Sequence, residues 1–180
     1  MQGPTLAEKL GTTTHLSPIL RKANRLGLGQ RELEVLAVQR GCRHYSDGTE
    51  SNKPLATPEQ FSNEELAIAL LCIALPYSPH SIRCGAAMLS APGNQPERLA
   101  RMAVLERSEA PVRYVAETGR KFEPDNPFWP ELLAALPAVP PVKSGVLPHP
   151  TRFVAMTGFT RRGPELVTEW QRPTRPASHE

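Results

Sequence analysis

The sequence lacks several features that mark whole classes of protein. No apolar run approaches the roughly 18 residues that a membrane-spanning helix needs, and no apolar signal core follows the N-terminal charges. The three cysteines, Cys42, Cys72 and Cys84, are too few for a closed disulfide framework. We therefore expect a protein of the reducing cytoplasm that has no membrane partner.

Patterns of catalytic and metal-binding residues are also missing. The sequence has no Gly-x-Ser-x-Gly motif, no Walker loop and no Gly-x-Gly-x-x-Gly motif. The histidines are scattered, and Cys42 with His44 supplies only two ligands, whereas a closed zinc site needs four. The sequence thus predicts no catalytic residue, no metal site and no cofactor. Enzymatic activity stays open as the less favoured alternative.

Proline, in contrast, is abundant. It accounts for 20 of the 180 residues, about twice the usual share. The length suits one domain of about 100–150 residues with tails. We divide the chain into a loose N-terminal arm with one short helix (residues 1–27), a body (28–137) and a Pro-rich basic tail (138–180). Both ends carry net positive charge, and the middle is mildly acidic.

Hydrophobic periodicity and capping residues predict helices throughout the body. Apolar positions three and four residues apart indicate a helix at 30–40. Residues 42–61 have no period and contain Asp-Gly and two prolines, so they predict a long loop. Ser62 and Glu65 form a capping box before the apolar run 66–75, which predicts a helix at the centre of the body.

Four further helices follow in the prediction, and no segment of 62–136 has the pattern of a strand. They are expected to begin at Ser78-Pro79, at Asn94, at Ser108 and after the turn-rich residues 123–127. Gly119 is expected to end the third, and the fourth is expected to reach Leu136. The body is therefore predicted to be all-α. The expected core residues are Leu66, Leu70, Ile73, Ile82, Ala86, Leu89, Leu99, Met102, Val112 and Val115.

A short motif recurs at nearly even spacing. Glu-x-Leu-Ala appears four times, at offsets of 30, 33 and 34 residues, beginning at Glu34, Glu64, Glu97 and Glu131. Stacked antiparallel helix pairs explain this spacing, because the leucines would face a shared core and the alanines would let neighbouring helices approach. The glutamates would lie in first turns, where the helix dipole favours negative charge. An irregular helical bundle is the alternative.

A second motif, Ser-x-x-x-(Ile/Val)-Arg-x-x-Ala, begins at Ser78 and again at Ser108. It makes Arg83 equivalent to Arg113. Equivalent positions line up in stacked helices, so these arginines could form a ladder that binds phosphates or acidic partners. The favoured alternative is an arginine–glutamate network between repeats, since the two signs of charge nearly balance.

Residues 94–119, NQPERLARMAVLERSEAPVRYVAETG, resemble the leucine-rich repeat variant family and, more broadly, HEAT-type helical repeats. In these families a Pro-x-x-Leu-x-x-Leu-Ala helix precedes a Val-Arg-x-x-Val-Ala helix, and Met102 stands at the second leucine. The matching positions are Leu99, Met102, Ala103, Val112, Arg113, Val115 and Ala116. The resemblance implies a small α-superhelix that serves as a binding surface.

A weaker likeness connects residues 28–41 and 75–83 with the helix-turn-helix domains of response regulators. A long loop and an apolar helix separate the two pieces here. The residues that follow Arg83 are mostly apolar, whereas a recognition helix needs polar side chains to contact bases. We therefore rank this reading below the helical repeat.

The tail supplies the remaining candidate residues. The β-prone runs 152–157 and 165–170 flank Arg161-Arg162 and suggest a β-hairpin. Aromatic anchors are enriched at binding hot spots, and the tail has three of them: Phe153, Phe159 and Trp170. Packing of these rings on their own domain is an equally weighted alternative.

The candidate partner-binding residues are Arg83, Arg113, Phe153, Phe159, Arg161, Arg162 and Trp170. Because helical-repeat surfaces serve binding, the sequence predicts a non-enzymatic protein-interaction or adaptor module with a protein partner. The alternative is a nucleic-acid-binding protein that uses the arginine ladder and the basic tail.

Overall fold

The structure is a computed structural model that describes residues 3–11, 17–43, 46, 48–50, 52–148, 170 and 173. These residues contain eight α-helices and no strand: α1 (Leu6–Leu10), α2 (Pro18–Arg25), α3 (Gln30–Gln39), α4 (Asn63–Leu70), α5 (Pro79–Leu89), α6 (Pro96–Leu105), α7 (Glu109–Phe122) and α8 (Phe128–Ala135). The predicted all-α fold class is confirmed for this part of the chain. The proposed hairpin, apart from Trp170, lies outside the described residues.

The N-terminal segment is more ordered than the expected loose arm with one short helix. Thr5 and Glu8 form a capping box at the start of α1, and the hydroxyl of Ser17 caps α2. Neither helix is long enough to be stable alone. Their stability comes from packing, since both contribute buried side chains to the core: Leu6, Ala7, Ile19 and Ala23.

Helix α4 lies at the centre of the fold and packs against α2, α3, α5 and α6. Its predicted capping box is present, but the helix ends at Leu70 rather than at residue 75. Beyond it, the carbonyl groups of Ile73 and Leu75 accept the N–H groups of Ala7 (2.8 Å) and Leu6 (3.4 Å). Those N–H groups belong to the first turn of α1, where a helix offers no internal acceptors. The backbone after α4 thus supports α1 instead of continuing the helix.

Helix α7 continues through Gly119 to Phe122, so the predicted end at Gly119 is wrong. A Cβ atom on Gly119 would lie 2.6 Å from Cζ2 of Trp129, whose indole is fully buried. Glycine is needed here because the indole of Trp129, on α8, packs directly on the backbone of α7.

The four helices with the Glu-x-Leu-Ala motif, α3, α4, α6 and α8, pack in that order, each against the next. The leucines of all four copies are buried, whereas Ala134 in the last copy is exposed. Glu34 lies in the middle of α3, and Glu32 is the acidic residue of its first turn. The prediction that each motif glutamate lies in the first turn of its helix is therefore wrong for Glu34.

The predicted core is buried with one exception. Met102 is only partly buried, and its neighbour Ala103 faces the interior instead. The side chain of Met102 packs against the core from outside, while the small Ala103 is fully buried within it.

Helix α6 ends in a Schellman motif with an arginine at the left-handed position. Arg107 has a φ of 54°. The N–H of Ser108 bonds the carbonyl of Ala103 (2.8 Å), and the N–H of Arg107 bonds that of Val104 (3.1 Å). Glycine is the usual residue at this position because it has no Cβ to clash in the left-handed region.

We expect Arg107→Gly to raise the free energy of unfolding by about 0.5–1 kcal/mol. The relief of about 1–2 kcal/mol of left-handed strain exceeds the roughly 0.5–1 kcal/mol of added chain entropy. Urea denaturation measures the change. Arg101→Gly in the middle of the same helix is the control and should lower the stability by about 1 kcal/mol. A loss of stability for Arg107→Gly would contradict the motif.

Candidate protein-interaction face

The outer sides of α6 and α8, which pack on each other, form an open groove. We call this groove the α6–α8 face. Its lining residues are Gln95, Pro96, Glu97, Ala100, Arg101, Val104, Leu105, Glu131, Ala134 and Ala135. The groove consists of two adjoining hollows of about 550 and 570 Å³ that share Glu97 and Ala135.

One end of the face is apolar. Val104 is 45% exposed and Leu105 is 72% exposed, and they are the two large exposed apolar side chains in the described part of the chain. Leu99, Ala100 and Ala103 take the inward positions of α6, so the next two residues turn outward. Ala135 lines the same hollow as this pair. Val104, Leu105 and Ala135 thus give this end of the face an apolar surface that is open to solvent.

The other end of the face is acidic. Glu97 and Glu131 line the hollow at the beginning of α6, and both are exposed. Glu97 and Leu105 are eight residues apart, which corresponds to about 12 Å along a helix. Arg101 lies between them and is also exposed. The face therefore carries acidic, basic and apolar groups in a fixed order along α6.

The beginning of α6 is held from behind by a buried carboxylate. Glu64 on α4 accepts the N–H of Gln95 at 3.0 Å and lies 3.4 Å from Nε of Arg98. The side-chain amide of Asn94 donates to the carbonyls of Met88 and Leu89 at the end of α5. These bonds fix where α6 starts relative to α4 and α5.

The end of α6 is held in the same way. Glu106 is 1% exposed, accepts the hydroxyl of Ser17 and accepts the N–H of Ile19 at 3.1 Å. It thereby satisfies the N–H group of Ile19 in the first turn of α2, which has no acceptor within the helix. A helix held at both ends presents its outer side chains in a pre-organised arrangement.

Glu106 is also part of a buried cluster with the hydroxyls of Ser17 and Ser108 and the thiol of Cys72. An acid, a hydroxyl and a thiol together resemble a nucleophilic site. All four side chains are buried, however, and burial raises the pKa of the Cys72 thiol above its ordinary value. The cluster therefore joins α2 and α6 and keeps the thiol protonated.

The structure places Arg83 and Arg113 in different surroundings. Arg83 is buried and lines a separate cleft of about 360 Å³ with Tyr114 and Lys143. Arg113 donates to the carbonyls of Leu133 (3.4 Å) and Pro137 (3.5 Å), and its Nε lies 3.4 Å from Glu117. Arg113 thus bonds the backbone of α8 and of Pro137, whereas its contact with Glu117 lies within α7; the ladder and the arginine–glutamate network between repeats both stay predictions.

Trp170 packs on the body of its own domain. Its side chain is buried, and its ring meets that of Trp129 edge-on at 5.1 Å and that of Phe122 at 6.2 Å. Packing, the alternative for the tail aromatics, therefore describes Trp170. The other predicted tail residues, Phe153, Phe159, Arg161 and Arg162, lie outside the described residues.

Sequence reasoning missed the α6–α8 face. The signal was present in α6: Leu99 and Ala103 define the inward side, and the adjacent apolar pair Val104-Leu105 cannot both share it. Neither Val104 nor Leu105 is charged or aromatic, and neither belongs to a chemical motif.

The described residues have neither a membrane-spanning helix nor a cluster of metal ligands. No described helix combines the length and apolar character needed to cross a membrane. Within the described ranges, no three His, Cys, Asp or Glu side chains come together as metal ligands would. No protein-family model, curated protein or solved structure matches this chain.

Proposed function

We propose that this chain is a non-enzymatic protein-interaction module, an adaptor that binds a protein partner through the α6–α8 face. The exposed pair Val104 and Leu105 carries the proposal. Burying one such side chain is worth about 1.5–3 kcal/mol, which is roughly a tenfold or larger gain in affinity for each residue.

The order of helix packing supports the same proposal. The motif-bearing helices α3, α4, α6 and α8 follow one another in space, as they would in a short α-superhelix of the leucine-rich repeat variant or HEAT type. The α6–α8 face lies on the last two helices of this series. In a repeat protein such faces are extended surfaces for partner binding.

The anchored ends of α6 also favour binding. Buried Glu64 and Glu106 hold the helix before any partner arrives. A partner therefore does not have to order this element, and less of the binding energy is lost to conformational entropy.

The test is affinity purification of the tagged chain from its native host after nuclease treatment. We expect a protein companion to remain with the wild-type chain and to be depleted at least tenfold with Leu105→Glu, because a buried unpaired carboxylate opposes docking. The matched control is Lys121→Gln, which makes the net charge more negative by the same single unit at an exposed position on α7 and should keep the companion.

Two results would contradict the proposal. In the first, the companion stays with Leu105→Glu as well as with the control. In the second, nucleic acid co-purifies and its affinity falls steeply as salt rises, which is the behaviour of the alternative nucleic-acid-binding class.

A further inference from the structure

A cleft of about 360 Å³ lies between the beginning of α5, the first half of α7 and the segment 142–148. No residue that lines it also lines the α6–α8 face. We propose that this cleft binds a small organic phosphate, a phosphate monoester whose other end is a planar apolar group. The inference goes beyond the proposed function and does not depend on it.

The cleft is positively charged. Arg83 and Lys143 line it, and none of the described residues around it is acidic. Arg83 is 7% exposed, so its guanidinium attracts an anion more strongly than a charge in bulk water would. A guanidinium matches two phosphate oxygens at once, and an ammonium adds a compact charge. Two cations from separate segments suit a phosphate monoester, which carries a charge of about −2 at pH 7.

The segment that carries Lys143 is fixed on the helical body. The hydroxyl of Tyr114 donates to the carbonyl of Pro148 at 2.8 Å. The N–H of Val146 bonds the carbonyl of Lys143 at 3.3 Å, and Gly145 has the positive φ of 84° that the third position of such a turn requires. The turn therefore holds the backbone of Lys143 at the cleft.

The other walls of the cleft fit an apolar body. They include the rings of Tyr77 and Tyr114 and the side chains of Val142 and Leu147. Planar groups pack well against such rings. The ammonium of Lys9 lies 3.9 Å from the centroid of the Tyr77 ring and adds a third positive charge next to a lining residue. The volume is near the lower end of the range of about 300–1,000 Å³ for ligand pockets, so the ligand is small.

NMR titration of the full chain with phenyl phosphate tests the proposal. We expect a dissociation constant of about 1 mM or lower. Phenyl sulfate has a similar shape but only one negative charge, and it should bind at least about threefold more weakly. Inorganic phosphate lacks the ring and should bind at least about fivefold more weakly.

Two variants connect this binding to the cleft. Lys143→Ala removes a cation from an exposed position, so the fold is retained, and it should weaken phenyl phosphate binding at least about fivefold. Arg83→Gln removes the buried charge and should weaken binding at least about tenfold. The matched control is Lys53→Ala, the same change at an exposed lysine outside the cleft, which should bind as the wild type does. Circular dichroism shows whether each variant is folded.

Four results would overturn the inference. Phenyl phosphate shows no binding below about 10 mM. Inorganic phosphate binds as tightly as phenyl phosphate, so that the cleft takes a bare ion only. Phenyl sulfate binds as tightly, so that the second negative charge is not recognised. Lys143→Ala binds phenyl phosphate as tightly as Lys53→Ala, so that the ligand lies elsewhere. None of these results bears on the α6–α8 face, and the proposed function would stand or fall on its own test.

Discussion

Leu70→Ala is expected to lower the free energy of unfolding by about 2–5 kcal/mol. Leu70 is 1% exposed and lies on α4, the helix that contacts the most other elements of the fold. Its Cβ would be 3.1 Å from a Cβ on Gly85, so α5 already approaches α4 as closely as glycine allows. The surrounding helices therefore cannot close much of the cavity that the alanine leaves.

Urea denaturation followed by circular dichroism measures this loss. Leu105→Ala removes the same atoms from an exposed position and should change the stability by no more than about 0.5 kcal/mol. If Leu70→Ala unfolds at the wild-type midpoint, the side of α4 that faces the core is wrongly assigned.

Trp129→Ala is expected to have the second large effect, a loss of about 3–5 kcal/mol. The indole is fully buried, stacks edge-on with Phe128 and Trp170, and donates its N–H to Glu123 at 2.7 Å. It also covers Gly119, where an added Cβ would overlap the ring. Gly119→Ala alone should therefore cost about 1–3 kcal/mol through overpacking.

We expect the effects of Gly119→Ala and Trp129→Ala on stability to be coupled, and a double-mutant cycle measures this coupling. Once Trp129 is replaced by alanine, the overlap is gone and Gly119→Ala should become stabilising by up to about 1 kcal/mol, because alanine is the better helix former. The sign of the Gly119→Ala effect thus depends on residue 129. A Gly119→Ala effect of equal size in both backgrounds would disprove the contact.

Helix beginnings could be read from the sequence because their chemistry is local. Ser62 with Glu65, and Ser78 with Pro79, form their caps from residues within one turn. Helix ends were harder, since α4 stops where the chain turns to support α1, about 65 residues earlier in the sequence. A pattern of neighbouring residues cannot predict a contact between segments that lie so far apart in the sequence.

Gly119 illustrates the same limit in a different way. As a sequence signal, glycine after an apolar helix predicts an end. Only the position of Trp129 on the next helix shows that close packing is the reason for the glycine. Exposure of Leu105 likewise follows only once the inward side of α6 is known, because the residue type alone predicts burial.

Helix α6 is held in place at its two ends by the buried carboxylates of Glu64 and Glu106, and not by its exposed side chains. Glu64 and Glu106 bond the backbone N–H groups of Gln95 and Ile19 and the side chains of Arg98 and Ser17, and none of these bonds involves Arg101, Val104 or Leu105. The outer residues can therefore be exchanged at little cost to the fold. The exposed side of α6 can thus be rewritten, in design or by mutation over generations, while the helix that displays it stays in place.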